Sequence, residues 1–304
     1  MITGLAHVGC AVADLDGAMR FFNTDMGIEH GRTQLSDQPY LSRVTGLPDC
    51  RIRIGFALID GDSTPLEVLQ FLNPPGRPSG AAFGRPGSPH ICWEVEDLGG
   101  MLGRLEARGL TPLSERRKLG QGLWADMAGA YLRGPDGVLI ELIEHPCSGG
   151  RSRLRRMHHI GYQVSSIQQA AQFMVDILGF QLDFDSTYDD TYYAGSAGQS
   201  EARVRAAFMT LPGSACQLEL LEFETPDAVP ADMANHNLGA LHCCFMVDDI
   251  HDTHEAMIGK GVEFVGPPAE VTAGVNKGAF AIYFRGPDGL RFELFQGRPT
   301  DVTG

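Results

Sequence analysis

Four histidines and four glutamates alternate along the chain: His7, Glu67, His90, Glu141, His159, Glu219, His242 and Glu293. Each member of the first half recurs 152 positions later (7 with 159, 67 with 219, 90 with 242, 141 with 293), and within each half the histidine-to-glutamate gap is first 60 and then 51. Imidazole and carboxylate hold divalent transition metals and move protons near neutral pH. Two of each at one point suit an ion of octahedral preference, with positions left for water or substrate and with the dication's charge cancelled. The imidazoles favour Ni, Co, Zn, Mn or Fe over Mg or Ca. One histidine in an apolar strand is ordinarily a satisfied core residue. A register that preserves ionisable side chains four times points to a duplicated site as well as a duplicated core.

The elements that must position these residues are readable around them. Each histidine lies in a strand-length apolar run, at 5–12, 89–95, 158–164 and 241–247. Seven residues after each stands Asp14, Asp97, Ser166 or Asp249, a good helix N-cap, and helical patterns follow that run out into Gly27, Gly109, Gly179 and the Gly259/Gly261 pair. Each glutamate sits in a last strand (66–71, 140–145, 218–223 and 292–297) between large apolar neighbours. Burying an unpaired carboxylate there four times would be costly. Alternation on a strand turns Glu67 inward and sends Gln70, three residues on, to solvent. Gly-Pro-Asp-Gly turns at 134–137 and 286–289 precede the last strand in the even-numbered units. The prediction is an α+β chain of four strand-helix-three-strand (βαβββ) modules. Modules 1–72 and 88–146 make a domain 1–148, modules 157–224 and 239–298 make a domain 157–304, and 149–156 is a linker whose Arg151, Arg153, Arg155 and Arg156 are solvated.

Composition bounds the function. The chain has 304 residues, 43% hydrophobic and 20% charged, enough for two domains with buried cores. A formal charge of −14 argues against nucleic acid as a partner. The absence of a long apolar run or signal-peptide pattern predicts a cytoplasmic protein with no membrane partner. Seven scattered cysteines without CxxC spacing read as buried thiols of a reducing compartment. The expected partner is a small-molecule substrate, and the expected assembly a monomer or homodimer.

The strand-borne histidine, capped helix, Gly-Pro-Asp-Gly hairpin and glutamate-bearing last strand, repeated in register, resemble the vicinal oxygen chelate superfamily. That superfamily includes glyoxalase I, methylmalonyl-CoA epimerase, extradiol dioxygenases and bleomycin-type resistance proteins. The resemblance implies modules paired into two cupped mixed-sheet domains, the glyoxalase/bleomycin resistance/dioxygenase fold, with all eight residues as metal ligands. The simplest grouping is His7, Glu67, His90 and Glu141 against His159, Glu219, His242 and Glu293; some tandem relatives instead pair the first module with the fourth. The resemblance further implies an epimerase, isomerase or glyoxalase-like lyase that stabilises an enolate or enediolate. Glu141 and Glu293 would be the catalytic bases, with Glu67 and Glu219 candidates for the second acid or base. An Fe(II) extradiol dioxygenase is the alternative, with His159, His242 and Glu293 as its triad; a non-catalytic binding or resistance protein is a third. Glutathione adducts, acyl-CoA thioesters and cyclic sugar-like ketones all present suitable oxygens. Tyr131, Tyr283, Arg53 and Arg205 are expected to touch substrate, the arginines through a carboxylate or phosphate. The loop 185–203 is expected over a pocket mouth. His158 is expected to face away from His159, and His30, His145, His236, His251 and His254 to have no role.

Overall fold

The computed structural model describes residues 1–31, 33–114, 116–118, 127–145, 153–190, 193, 202–211, 213–224, 229–274 and 276–297. The four helices expected from the sequence begin at their caps. Asp14 accepts from the Asp16 amide, Asp97 from Gly100, Ser166 from Gln169, and Asp249 from His251 and Asp252. Gly27, Gly109, Gly179 and Gly261 take the left-handed conformation that ends a helix. The residue three after each ligand-type glutamate does not simply meet solvent, as expected for Gln70. In three modules it caps a helix: Glu144 accepts from the Leu98 amide at 3.2 Å, Glu222 from Ile167 at 2.7 Å and Gln296 from Ile250 at 2.8 Å. Gln70 instead donates to the Ala13 carbonyl at 2.6 Å. The last strand therefore points one carboxylate into the cup and ties its other polar side chain to the helix side of the sheet.

Two mixed sheets form, and each joins modules from both halves of the chain. In one, the His7 strand (Ile2–Ala11) runs antiparallel to the His242 strand (Leu241–Val247); the Glu67 strand (Leu66–Asn73) and the Glu293 strand (Arg291–Gln296) flank them in parallel. In the other, the His159 strand (Leu154–Gln163) pairs with the His90 strand (Pro89–Val95), flanked by Gln217–Phe223 and Leu139–Glu144. The first module thus closes with the fourth and the second with the third. The sequence-ordered blocks 1–148 and 157–304 are not the units in which the sheets close. Residues 154–156 of the expected linker already belong to the His159 strand, and three of its arginines are engaged: Arg153 pairs with Glu96, and Arg155 and Arg156 with the buried Glu94, while Arg151 lies outside the described residues.

Alternation gives each sheet two faces. Val8, Cys10 and Val12 enter a core that also takes residues of the second sheet and of the helices, where Phe22 meets Trp93 and Tyr162 meets Cys243. The intervening His7, Gly9 and Ala11 face the cup. The Gly-Pro-Asp-Gly turns clasp the two sheets: Asp136 accepts from the Ala13 amide at 2.7 Å and Asp288 from Ser165 at 2.8 Å. Both aspartates hold positive φ, 52° and 53°. Cys10, Cys50, Cys92, Cys216, Cys243 and Cys244 are buried free thiols, while Cys147 lies outside the described residues. Among the described residues no helix is long and apolar enough to cross a membrane.

Candidate metal centres

At the base of each cup, the two central strands bring in a histidine each and the two flanking strands a glutamate each. In the first centre, His7 Nε2 lies 3.3 Å from Glu67 and 3.5 Å from Glu293; His242 Nε2 lies 3.8 Å from Glu67 and 3.4 Å from Glu293. The two Nε2 atoms are 3.4 Å apart. In the second, His90 Nε2 lies 3.5 Å from Glu141 and 3.2 Å from Glu219, and His159 Nε2 3.0 and 3.5 Å from the same pair. Its two Nε2 atoms are 3.2 Å apart. Of the two groupings the sequence left open, the structure brings together the one across the halves: His7, Glu67, His242 and Glu293, and His90, Glu141, His159 and Glu219. The triad His159, His242 and Glu293 is split between them.

These distances fit a common cation. Donors bonded at about 2.1 Å stand about 3.0 Å apart at right angles and about 3.4 Å apart at tetrahedral angles. The atoms also face inward rather than toward one another: the buried Glu219 Oε2 makes no hydrogen bond although His90 Nε2 is 3.2 Å away. Burial alone would lower the pKa values of His7, His90 and His159 and raise those of Glu141, Glu219 and Glu293, but the pairing of imidazoles with carboxylates, and for His7 also the neighbouring Cys244, outweighs it. His7 and His90 are held above the usual histidine range and His159 is raised to about 9; Glu141 and Glu219 are lowered, and Glu293 falls to about 2.

Two positioning features escaped sequence reasoning. Gly9 lies directly across from His242, and Gly161 across from His90. A Cβ at either glycine would overlap the imidazole opposite. The signal was present, because Gly9 and Gly161 differ by 152 while the even-numbered modules carry Cys92 and Cys244 at that place. The second feature is His158. A strand irregularity between Met157 and His159 lets adjacent histidines meet, with their Nδ1 atoms 2.9 Å apart, instead of facing opposite ways. Burial, with His159 and Arg156 nearby, pushes the His158 pKa down to about 2, so its ring is neutral. A neutral His158 accepts from His159 Nδ1 and leaves His159 Nε2 a lone pair for the centre.

The centres differ in access. His90, Glu141, His159 and Glu219 are at most 3% exposed. Tyr193 donates to Glu219 Oε1 at 3.0 Å, and Phe83 stacks on Tyr193 and meets Tyr131 edge-on, which in turn packs on His90. The first centre opens into a cleft whose lining includes His7, Glu67, Glu293 and Tyr283. Tyr283 Oη lies 3.1 Å from His242 Nε2. The expected substrate arginines are elsewhere: Arg53 is bound to Asp16 and Gln70, and Arg205 to Asp185. The expected loop is partly strand, since Gln181–Asp190 pairs with Ala202–Thr210; of its remainder only Tyr193 and residues 202–203 fall within the described residues.

Family models described as Glyoxalase/Bleomycin resistance protein/Dioxygenase superfamily match residues 6–131 and 156–294. The chain belongs to this superfamily. It does so in tandem form, with one match in each half. A 2-epi-5-epi-valiolone epimerase from Actinomyces sp. is 29% identical over 142 residues, covering 45% of this chain and 77% of that protein. Glyoxalase I from Zea mays superposes with a TM-score of 0.64 at 16% identity, over 96% of this chain and 92% of the other. A putative dioxygenase from Bacillus subtilis does so with 0.65 at 14%, over 99% and 88%. At such identities these structures share the superfamily fold and nothing narrower.

Proposed function

We propose that the chain is a divalent-metal-dependent enzyme whose reaction centre is the His7, Glu67, His242 and Glu293 set, and that it moves a proton next to a carbonyl. The observation that carries this reading is two imidazoles and two carboxylates converging at the floor of an open cleft. A divalent cation held there by the four side chains supplies positive charge beside a carbonyl oxygen, which makes the neighbouring C–H acidic. Glu293 and Glu67 arrive from the two flanking strands, so one carboxylate can take the proton and the other can return one. The Tyr283 hydroxyl, beside His242, is placed to hydrogen-bond a substrate oxygen. Likeness to an epimerase supports an epimerase or isomerase over a lyase. The His90, Glu141, His159 and Glu219 set is a second metal centre, closed over by Tyr193 and Phe83, and Glu141 has no comparable access to substrate.

The test is carbon-bound hydrogen exchange. Metal-reconstituted protein in deuterium oxide, without oxygen, is incubated with a panel of cyclic hydroxyketones and followed by NMR. Deuterium entry next to the carbonyl that disappears in Glu293→Gln supports the reading. Turnover that requires oxygen would instead identify a ring-cleaving enzyme.

A further inference from the structure

We infer that the part of a molecule held inside the open cleft is uncharged and largely apolar, and that the cleft does not bury an anionic group. This rests on the cleft being the reaction centre. The floor contributes two carboxylates, Glu67 and Glu293, whose charge one dication cancels and does not exceed. A ligand that brought its own anion would need a protein cation, and among the described residues lining the cleft there is no lysine or arginine. Strand and helix alternation explains this. Ile52 and Ile54 face the cleft, so Arg53 between them faces the other side of the sheet, where Asp16 holds it at 2.8 Å. On the helix Tyr40–Thr45, Leu41 and Val44 face in while Arg43 is exposed.

The walls are otherwise apolar. Leu69 and Phe71 come from the first module, and Val271, Ala281 and Phe295 from the fourth. Away from the floor, the polar side chains are Gln34, Tyr40, Thr45 and Asn276; the Thr45 hydroxyl already donates to the Leu41 carbonyl at 2.7 Å, and the Tyr40 hydroxyl lies 3.4 Å from that of Ser36. Removing a carboxylate or phosphate from water into such walls is costly without a partner. An apolar ring or chain gains by the same transfer.

Two probes test this by calorimetry at neutral pH: benzohydroxamic acid and para-carboxybenzohydroxamic acid. They share a ring and the same pair of chelating oxygens and differ by one negative charge. On the nickel-loaded protein the uncharged probe is expected to bind at least about tenfold more tightly. Val44→Lys and, independently, Val271→Lys should shrink or reverse that preference. Equal or tighter binding of the carboxylate by the unsubstituted protein overturns the inference, as does binding of neither probe. The two readings fail separately. If chelator-treated protein binds the uncharged probe equally well with the same preference, metal chelation at this centre is wrong and the polarity inference stands. If binding needs nickel but ignores the carboxylate, the metal reading stands and this one falls.

Discussion

At the scale of single residues, the centres depend on small side chains as much as on ligands. His242 and His90 occupy space that only glycine leaves across the ladder, at Gly9 and Gly161. Gly9→Ala should displace His242 and cost about 1–3 kcal/mol through overpacking. Bound metal should fall from two ions to one per chain, with the loss confined to the open centre; Gly161→Ala should empty the closed one. Elemental analysis of each variant checks this, and retention of both ions in Gly9→Ala would show the ring has another place to go. Protonation supplies a second residue-scale prediction. In the metal-free chain the His159 pKa is raised from 6.5 to about 9. A raised pKa means that the folded state holds the proton more tightly, so this contribution to stability is complete below 6.5 and fades as pH rises through about 9. Metal must displace that proton, so affinity at the closed centre should rise with pH up to about 9, with protons released on binding. Metal titrations in buffers of different ionisation enthalpy measure the release; an affinity flat across that range would refute the proton-competition account.

At the scale of elements, each helix is locked to its sheet by polar contacts that repeat with the modules. Glu144, Glu222 and Gln296 each receive the first amide of their own module's helix. Alanine at any of the three should cost about 1 kcal/mol, as loss of a helix cap does, without altering metal content. The turns behave differently because their aspartates meet two demands, a left-handed backbone and a bond across to the other sheet. Asp136→Ala should cost about 1–3 kcal/mol, through the lost charged hydrogen bond and a backbone conformation that alanine resists. Asp136→Asn should be milder, because asparagine tolerates that conformation and keeps an acceptor oxygen. Chemical denaturation of the pair checks the order.

At the scale of the whole molecule, both centres are built across the halves of the chain, since the first sheet joins modules one and four and the second joins two and three. Neither half alone contains a complete ligand set. Co-expressed fragments 1–148 and 157–304 should assemble and bind metal together. Either fragment alone should lose about 3 kcal/mol or more of affinity, because two of four ligands are missing and the second strand of each histidine pair is absent. Native mass spectrometry with metal counting tests this; a single half that holds a four-ligand site by itself would contradict the sheet order.

Much of this protein is written in its sequence. The 152-residue register, the four capped helices, the glutamate-bearing last strands and the two turns arise from local pattern and spacing, and all four modules form where those patterns stand. The superfamily was legible for the same reason. Which modules pair was not, because identical ligand types recur in all four and either pairing completes the set. Antiparallel pairing of the His7 strand with the His242 strand decided it, and the glycines that permit this pairing become meaningful only with the opposite imidazole in place. His158 was misplaced because perfect alternation fails at a strand irregularity. Arg53 looked like an anion site until Asp16, 37 residues away in sequence, was found beside it. The sequence by itself determined the modules and the kinds of ligand, which depend on local periodicity and side-chain chemistry. Tertiary structure alone decided how the His and Glu side chains are shared between the two clusters and which of them lines a cleft, because each depends on contacts between residues far apart in the chain.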